Sequence, residues 1–258
     1  MEVKALKFGG LTAKRPIVQG GMGVGVSLSS LAGNVAKCGG VGTISGVHPG
    51  YREADFKENP FRANLRAIGN ELEKAKEIAN GGIIGFNFMT VMNHYEEYVK
   101  EAIAAGADFI VSGAGLPVNL AKYAAGTRAA ILPIVSSARA LKLIVKQWQR
   151  ADRLPDAVVV EGPLAGGHLG YPYGHLVDGT FDTLEDSLMD VVDYVRELEE
   201  KNGVKIPVIA GGGVRNHADM ERLMALGASG VQVGTKFVAT EECDAAPAFK
   251  QAYLRSRK

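Results

Sequence analysis

The chain has 258 residues, 47% of them hydrophobic, enough for one large α/β domain with a sizeable core or for two small ones. Its 29 basic and 28 acidic residues leave a net charge of +1, which argues against nucleic acid or an anionic membrane as the main partner. Two cysteines are too few for a disulfide framework. The opening MEVKALKFGG has no apolar signal-peptide core, so the expectation is a soluble, cytoplasmic protein.

Eight short apolar runs follow one another along the chain: PIVQGGM (16–22), GVGTIS (40–45), IIGFNFM (83–89), DFIVSG (108–113), AAILPIVSS (129–137), AVVVEG (157–162), IPVIAGGG (206–213) and GVQVGTKFV (230–238). Helix-length segments separate them, clearest at 70–79, 94–105, 138–149, 184–200 and 216–226. In DTLEDSLMDVVDYVRELEEKNG, Asp182 is read as the N-cap, Glu185 stands at the capping-box position and Gly203 follows the helix end. The runs are apolar throughout rather than alternating, which implies strands buried on both faces in a parallel sheet covered by helices. Eight βα units in one chain of this length predict a (β/α)₈ TIM barrel, with a doubly wound sheet as the alternative. No linker or composition shift divides residues 1–258, so a single domain is expected.

Active sites of such barrels gather at the C-terminal ends of the strands. Those ends carry Gln19, Ser45, Asn87, Ser112, Ser136 with Ser137, Glu161 with His168, the glycines 211–213, and Gln232 with Thr235. The set is rich in hydrogen-bonding groups and poor in charge, which suits a large, mostly neutral ligand better than a bare metal ion. AGGGV at the seventh strand and QVGT at the eighth occupy the slots where barrels often hold phosphate on backbone N–H groups. Gly212, Gly213 and Gly234 permit close backbone approach, and Thr235 adds a hydroxyl.

Other motifs lead elsewhere. GMGVG (21–25) lacks the G-x-G-x-x-G spacing, and no P-loop is present. His168, His175 and Asp178 match no standard metal-ligand spacing. Cys38 is expected to pack within the first helix, and Cys243 has no basic neighbour in sequence to activate it. His94 and His217 are read as loop or helix-surface residues, whereas His48 follows the second strand at the mouth.

Five stretches together are similar to the FMN-dependent barrels that include nitronate monooxygenase and the flavin-dependent enoyl-acyl carrier protein reductase II: GGM with SLSSLAGNVAKCGGVGTIS, GFNFM, EGPLAGGHLG, IPVIAGGGV and ALGASGVQVGTKFVAT. The resemblance covers nearly the whole chain. It implies that Gly21 and Met22 lie along a flavin ring and that Asn87 hydrogen-bonds it. It also implies that Gly166 and Gly167 pass close to the ring and that Gly212, Gly213, Gly234 and Thr235 hold the phosphate, with Gln232 beside them and Glu161 among the cofactor-binding residues. His168 then faces the substrate as the catalytic residue. The implied activity is oxidation of a nitronate or nitroalkane with O₂. NAD(P)H-dependent reduction of an enoyl thioester or quinone is the alternative within the family, and a flavin-free phosphate-binding lyase or isomerase the alternative outside it. A homodimer is the candidate assembly.

This chain differs from many nitronate monooxygenases in carrying Glu161 where they have Gln, and in reading PIVSS, without a basic residue, at the fifth strand. Relatives usually continue past the eighth helix, so the C-terminal tail is expected to be absent here, where the chain reaches AYLRSRK.

Overall fold

The computed structural model describes residues 4–256. The elements, in chain order, are β1 (Leu6–Phe8), β2 (Leu11–Ala13), β3 (Ile17–Gln19), α1 (Ser29–Lys37), β4 (Val41–Ser45), α2 (Pro60–Ala79), β5 (Ile83–Met89), α3 (Tyr95–Ala104), β6 (Phe109–Gly113), α4 (Leu120–Tyr123), β7 (Ala130–Val135), α5 (Ala138–Trp148), β8 (Val158–Glu161), α6 (Tyr173–Asp178), α7 (Leu184–Asn202), β9 (Val208–Gly211), α8 (His217–Ala225), β10 (Gly230–Val233), α9 (Thr235–Val238) and α10 (Pro247–Arg255). Strands β3 to β10 pair in parallel and in sequence order, and β10 closes onto β3 to complete an eight-stranded (β/α)₈ barrel. No helix among the described residues is long and apolar enough to cross a membrane.

Burial on both faces has a direct cause. Alternate strand residues enter two separate cores. Val18, Val41, Phe109, Val111, Leu132, Val159 and Ile209 fill the barrel interior. Ile44, Phe86, Phe88, Ile110, Ile131, Val158, Val160 and Val231 face the helices. The interior core also takes in Leu6, Phe8 and Ala13 from the antiparallel β1–β2 hairpin. This hairpin, which the sequence reading did not include, plugs the N-terminal end of the barrel, opposite the mouth.

Several boundaries differ from the sequence expectation. The second helix begins at Pro60, preceded by Asn59, whose side chain accepts from Arg62 N–H. Only the short α4 follows β6, where a longer helix was expected. The eighth barrel strand ends at Val233, and the chain turns at once into α9. The cap of α7 is Thr183, not Asp182. Thr183 accepts from Asp186 N–H while the Asp186 carboxylate accepts from Thr183 N–H, a reciprocal capping box displaced by one residue from the expected one. Gly203 closes that helix as expected, at φ 65°. Cys38 is an exposed C-cap of α1 rather than a packing residue, because the helix turns its last residue outward.

Candidate active site

Strand register brings three of the expected residues into one row. Gly211 of β9 pairs with Glu161 of β8 on one side and with Gln232 of β10 on the other. Gly211 has no side chain, so Gln232 reaches across it and donates from Nε2 to Glu161 Oε1 at 2.7 Å. A Cβ on Gly211 would stand 3.2 Å from Gln232 Cβ and 3.4 Å from Nε2, inside the bridge. The bond also fixes the Gln232 amide: Oε1 is left buried with no hydrogen-bond partner among the described residues. A buried acceptor without a donor is costly unless a ligand or water supplies one. Burial pushes the Glu161 carboxyl above its usual range, and the bond from Gln232 partly offsets this.

A second group forms around the turn after β3. A Cβ on Gly21 would overlap the Asn87 side chain, so the turn lies directly against β5. Met22 N–H donates to Ser27 Oγ at 2.8 Å, and Ser27 N–H donates back to Met22 O at 3.0 Å, which closes the turn. Met22 reaches the end of the neighbouring strand β10, its Sδ 3.4 Å from where a Gly234 Cβ would stand. Gly21 thus lies against Asn87, and Met22 against Gly234. The Asn87 amide makes no side-chain hydrogen bond among the described residues and is only partly buried.

The glycines after β9 have a local conformational reason. Gly212 and Gly213 adopt φ of 107° and 74°, a region side chains disfavour. A Cβ on either would press on Ala165 N or Leu164 Cδ1, so the two loops after β8 and β9 pack together. The N–H groups of Gly212, Gly213, Gly234 and Thr235 have no backbone acceptor among the described residues. They follow two adjacent strands and are available to an anion.

Gly166, Gly167 and His168 lie on the exposed loop after β8, where a Cβ on either glycine would meet nothing within 4 Å. The loop is tied at its far end, where Ser136 Oγ donates to Gly170 O at 3.0 Å. Tyr171 OH donates to Glu161 O at 3.4 Å, joining the loop to the buried row. Sequence reasoning missed Tyr171 and Leu164; their position beside the AGGH stretch was the available signal.

Three strand-end residues do not serve the mouth. Gln19 is fully buried, and its amide donates to Thr43 O at 2.8 Å and accepts from Thr43 N–H at 3.3 Å. It acts as an extra rung between β3 and β4, whose register pairs only Val18 with Val41. Ser112 faces the helices, donating to Phe88 O and bonded to Tyr95 OH at 2.8 Å. Ser137 caps α5 by accepting from Ala140 N–H. His48 lies beside Asn64 and against Phe56, held by packing. Ser45 remains at the mouth, close to Gly23.

The residues fit a phosphate-bearing flavin. A buried acceptor at Gln232, free N–H groups after β9 and β10, and small residues lining the turn after β3 match a ligand with hydroxyls, a phosphate and a flat ring.

Comparisons with known proteins agree. A family model described as nitronate monooxygenase matches residues 4–258. A probable nitronate monooxygenase of Staphylococcus saprophyticus is 24% identical over 282 residues, covering 100% of this chain and 74% of that protein. A probable nitronate monooxygenase of Bacillus subtilis is 23% identical, covering 95% and 71%. Among solved structures, FabK from Thermotoga maritima has a TM-score of 0.72 at 26% identity, covering 95% of this chain and 65% of FabK. A nitroalkane oxidase from Streptomyces ansochromogenes shares the fold, with a TM-score of 0.67 at 23% identity, covering 92% and 70%.

Proposed function

Because the chain belongs to the nitronate monooxygenase family, we propose that it is an FMN-dependent oxidoreductase that oxidises a nitronate or nitroalkane with O₂ at the barrel mouth. The observation that carries this is the Glu161–Gly211–Gln232 row, whose outward product is one buried, donor-less acceptor beside two turns of free N–H groups. When bound, FMN supplies the redox chemistry, accepting electrons from the substrate and passing them to oxygen.

The chain's own residues do the rest. Gly212, Gly213, Gly234 and Thr235 hold the phosphate by main-chain N–H groups and the Thr235 hydroxyl. Gln232 accepts from a hydroxyl of the ligand while Glu161 holds its amide in that orientation. Gly21, Met22 and Asn87 form the wall against the ring. His168, exposed on the loop after β8 and with no side-chain hydrogen bond among the described residues, turns to the substrate. There it donates a hydrogen bond to nitro oxygens and removes the α-proton of a neutral nitroalkane.

FabK, the structural neighbour above at 26% identity, favours one second reading, an NAD(P)H-dependent reductase on the same barrel. Oxygen uptake and NAD(P)H consumption separate the two. The expected result is O₂ consumption with a nitronate and no need for NAD(P)H. Rapid NAD(P)H-dependent turnover of an enoyl thioester or quinone, with none of a nitronate, would overturn the first.

A further inference from the structure

The turn that carries Gly21 and Met22 is held from a distant part of the sequence. Asp244 lies beyond α9, yet its carboxylate accepts three main-chain N–H bonds at the start of α1: Leu28 at 2.8 Å and Leu31 at 3.1 Å on Oδ2, and Ser30 at 3.2 Å on Oδ1. Its own N–H donates to Val26 O at 3.2 Å, and the Cys243 thiol donates to the same oxygen at 3.3 Å. Arg52, from the loop after β4, donates to Asp244 O at 2.7 Å and to Tyr51 OH, which abuts Gly25. Val26, Leu31, Val35, Val238, Cys243 and Ala245 form a small core separate from the two barrel cores, with Met22 and Phe237 packed on it.

The arrangement is more than a helix cap. The other acid at this helix start, Glu71, accepts one main-chain bond there, from Ser29 N–H at 2.9 Å, besides its pairing with Lys74 at 3.4 Å, and belongs to α2. Asp244 supplies the polar link between the helix start and the segment that also supports Met22, beside the apolar packing of Leu31 and Val35 on Val238 and Cys243. Met22 packs on the small core and reaches Gly234, while main-chain bonds hold only the two ends of the turn, Gly20 N–H to Val233 O and Ser45 N–H to Ser27 O, both at 2.9 Å.

We propose that Asp244 is the positioning residue for the Gly21–Ser27 turn, and that it sets how tightly the mouth holds FMN. This rests on the flavin assignment above. Without Asp244 the turn keeps its internal Met22–Ser27 bonds and the main-chain bonds at its two ends, but loses the carboxylate that ties the start of α1 to the small core under Met22, so Met22 and Gly21 no longer present a fixed wall.

The test uses flavin-free protein, FMN titration by fluorescence quenching, and thermal unfolding without flavin. Asp244→Ala is expected to raise the FMN Kd at least tenfold. Asp244→Asn keeps one oxygen for Leu28 and Leu31 and is expected to fall between wild type and Asp244→Ala. Glu71→Ala, which uncaps the same helix, is expected to lower the unfolding temperature while changing the FMN Kd less than threefold. A threefold or smaller change in Asp244→Ala would overturn the proposal. So would Kd increases in the Asp244 and Glu71 variants that simply follow their loss of unfolding temperature. If Asp244→Ala does not fold, Asp244→Asn and Arg52→Ala decide by the same criterion. Failure of wild-type protein to take up FMN at all would instead sink the flavin assignment.

Discussion

At Glu161 the fold and the site make opposite demands. Burial raises the carboxyl's affinity for its proton, so the folded chain binds that proton more tightly than the unfolded chain does. Stability therefore falls as pH rises: the penalty is absent below the ordinary carboxyl value of about 4.3 and complete above the raised folded value. Glu161→Gln keeps an oxygen for Gln232 Nε2 and removes the charge. Flavin-free Glu161→Gln is expected to unfold at a higher temperature than wild type at pH 8, with the gap closing toward pH 4.5. A variant less stable than wild type at pH 8 would refute this. His168→Ala is expected to retain FMN, since no phosphate-holding group depends on it, and to lose turnover by about 10²- to 10⁴-fold. Loss should be greater for a neutral nitroalkane than for a pre-formed nitronate; near-wild-type rates for both would remove His168 from the chemistry. Glu161, Gln232 and Asn87 could be placed because each lies toward the C-terminal end of a clear apolar strand. The sequence reading misplaced Gln19 and Ser112 because strands apolar on both faces hide which way each residue points, and one residue of register moves a side chain from mouth to helix layer.

Helices and turns were legible where a local signal was strong, and blurred where two residues competed for one role. At the start of α7, Asp182 and Thr183 are both capping types, and only backbone geometry selects Thr183. Thr183→Ala is expected to cost about 1 kcal/mol, a fall of roughly 2–4 °C in unfolding temperature, against little change for Asp182→Ala. The reverse order in a thermal scan would restore the earlier assignment. The turns after β9 and β10 were legible as glycine-bearing turns after adjacent strands. Their packing against Leu164 and Ala165 was not, since that contact joins two loops some 50 residues apart. The same holds for Asp244, whose partners at Leu28 to Leu31 lie over 210 residues away. Nothing local marks an aspartate that caps a remote helix.

For the whole molecule, eight apolar runs separated by helical segments were enough to specify a closed parallel barrel, because that pattern has few other ways to bury both strand faces. The β1–β2 hairpin escaped notice because LKF and LTA are too short to register as periodic strands. Yet it seals one end of the barrel, with Phe8 packed edge-on to Phe109 at 6.0 Å between ring centres. Phe8→Ala is expected to cost about 3–5 kcal/mol, read by chemical denaturation, and to leave the FMN Kd nearly unchanged because the plug and the mouth lie at opposite ends. A small stability loss would mean the hairpin is dispensable to the core.

The central assignment, FMN held by the turns after β9 and β10, is met most directly by titrating flavin-free wild type and Gly234→Asp with FMN and with FAD. One FMN per wild-type chain is expected. In folded Gly234→Asp the added carboxylate opposes a phosphate dianion. Each charge pair at 4 Å costs about 1 kcal/mol in water and about 4 at an effective dielectric of 20, so affinity should fall tenfold or more. Absence of flavin binding by wild type, preference for FAD, or unchanged FMN affinity in Gly234→Asp would contradict it.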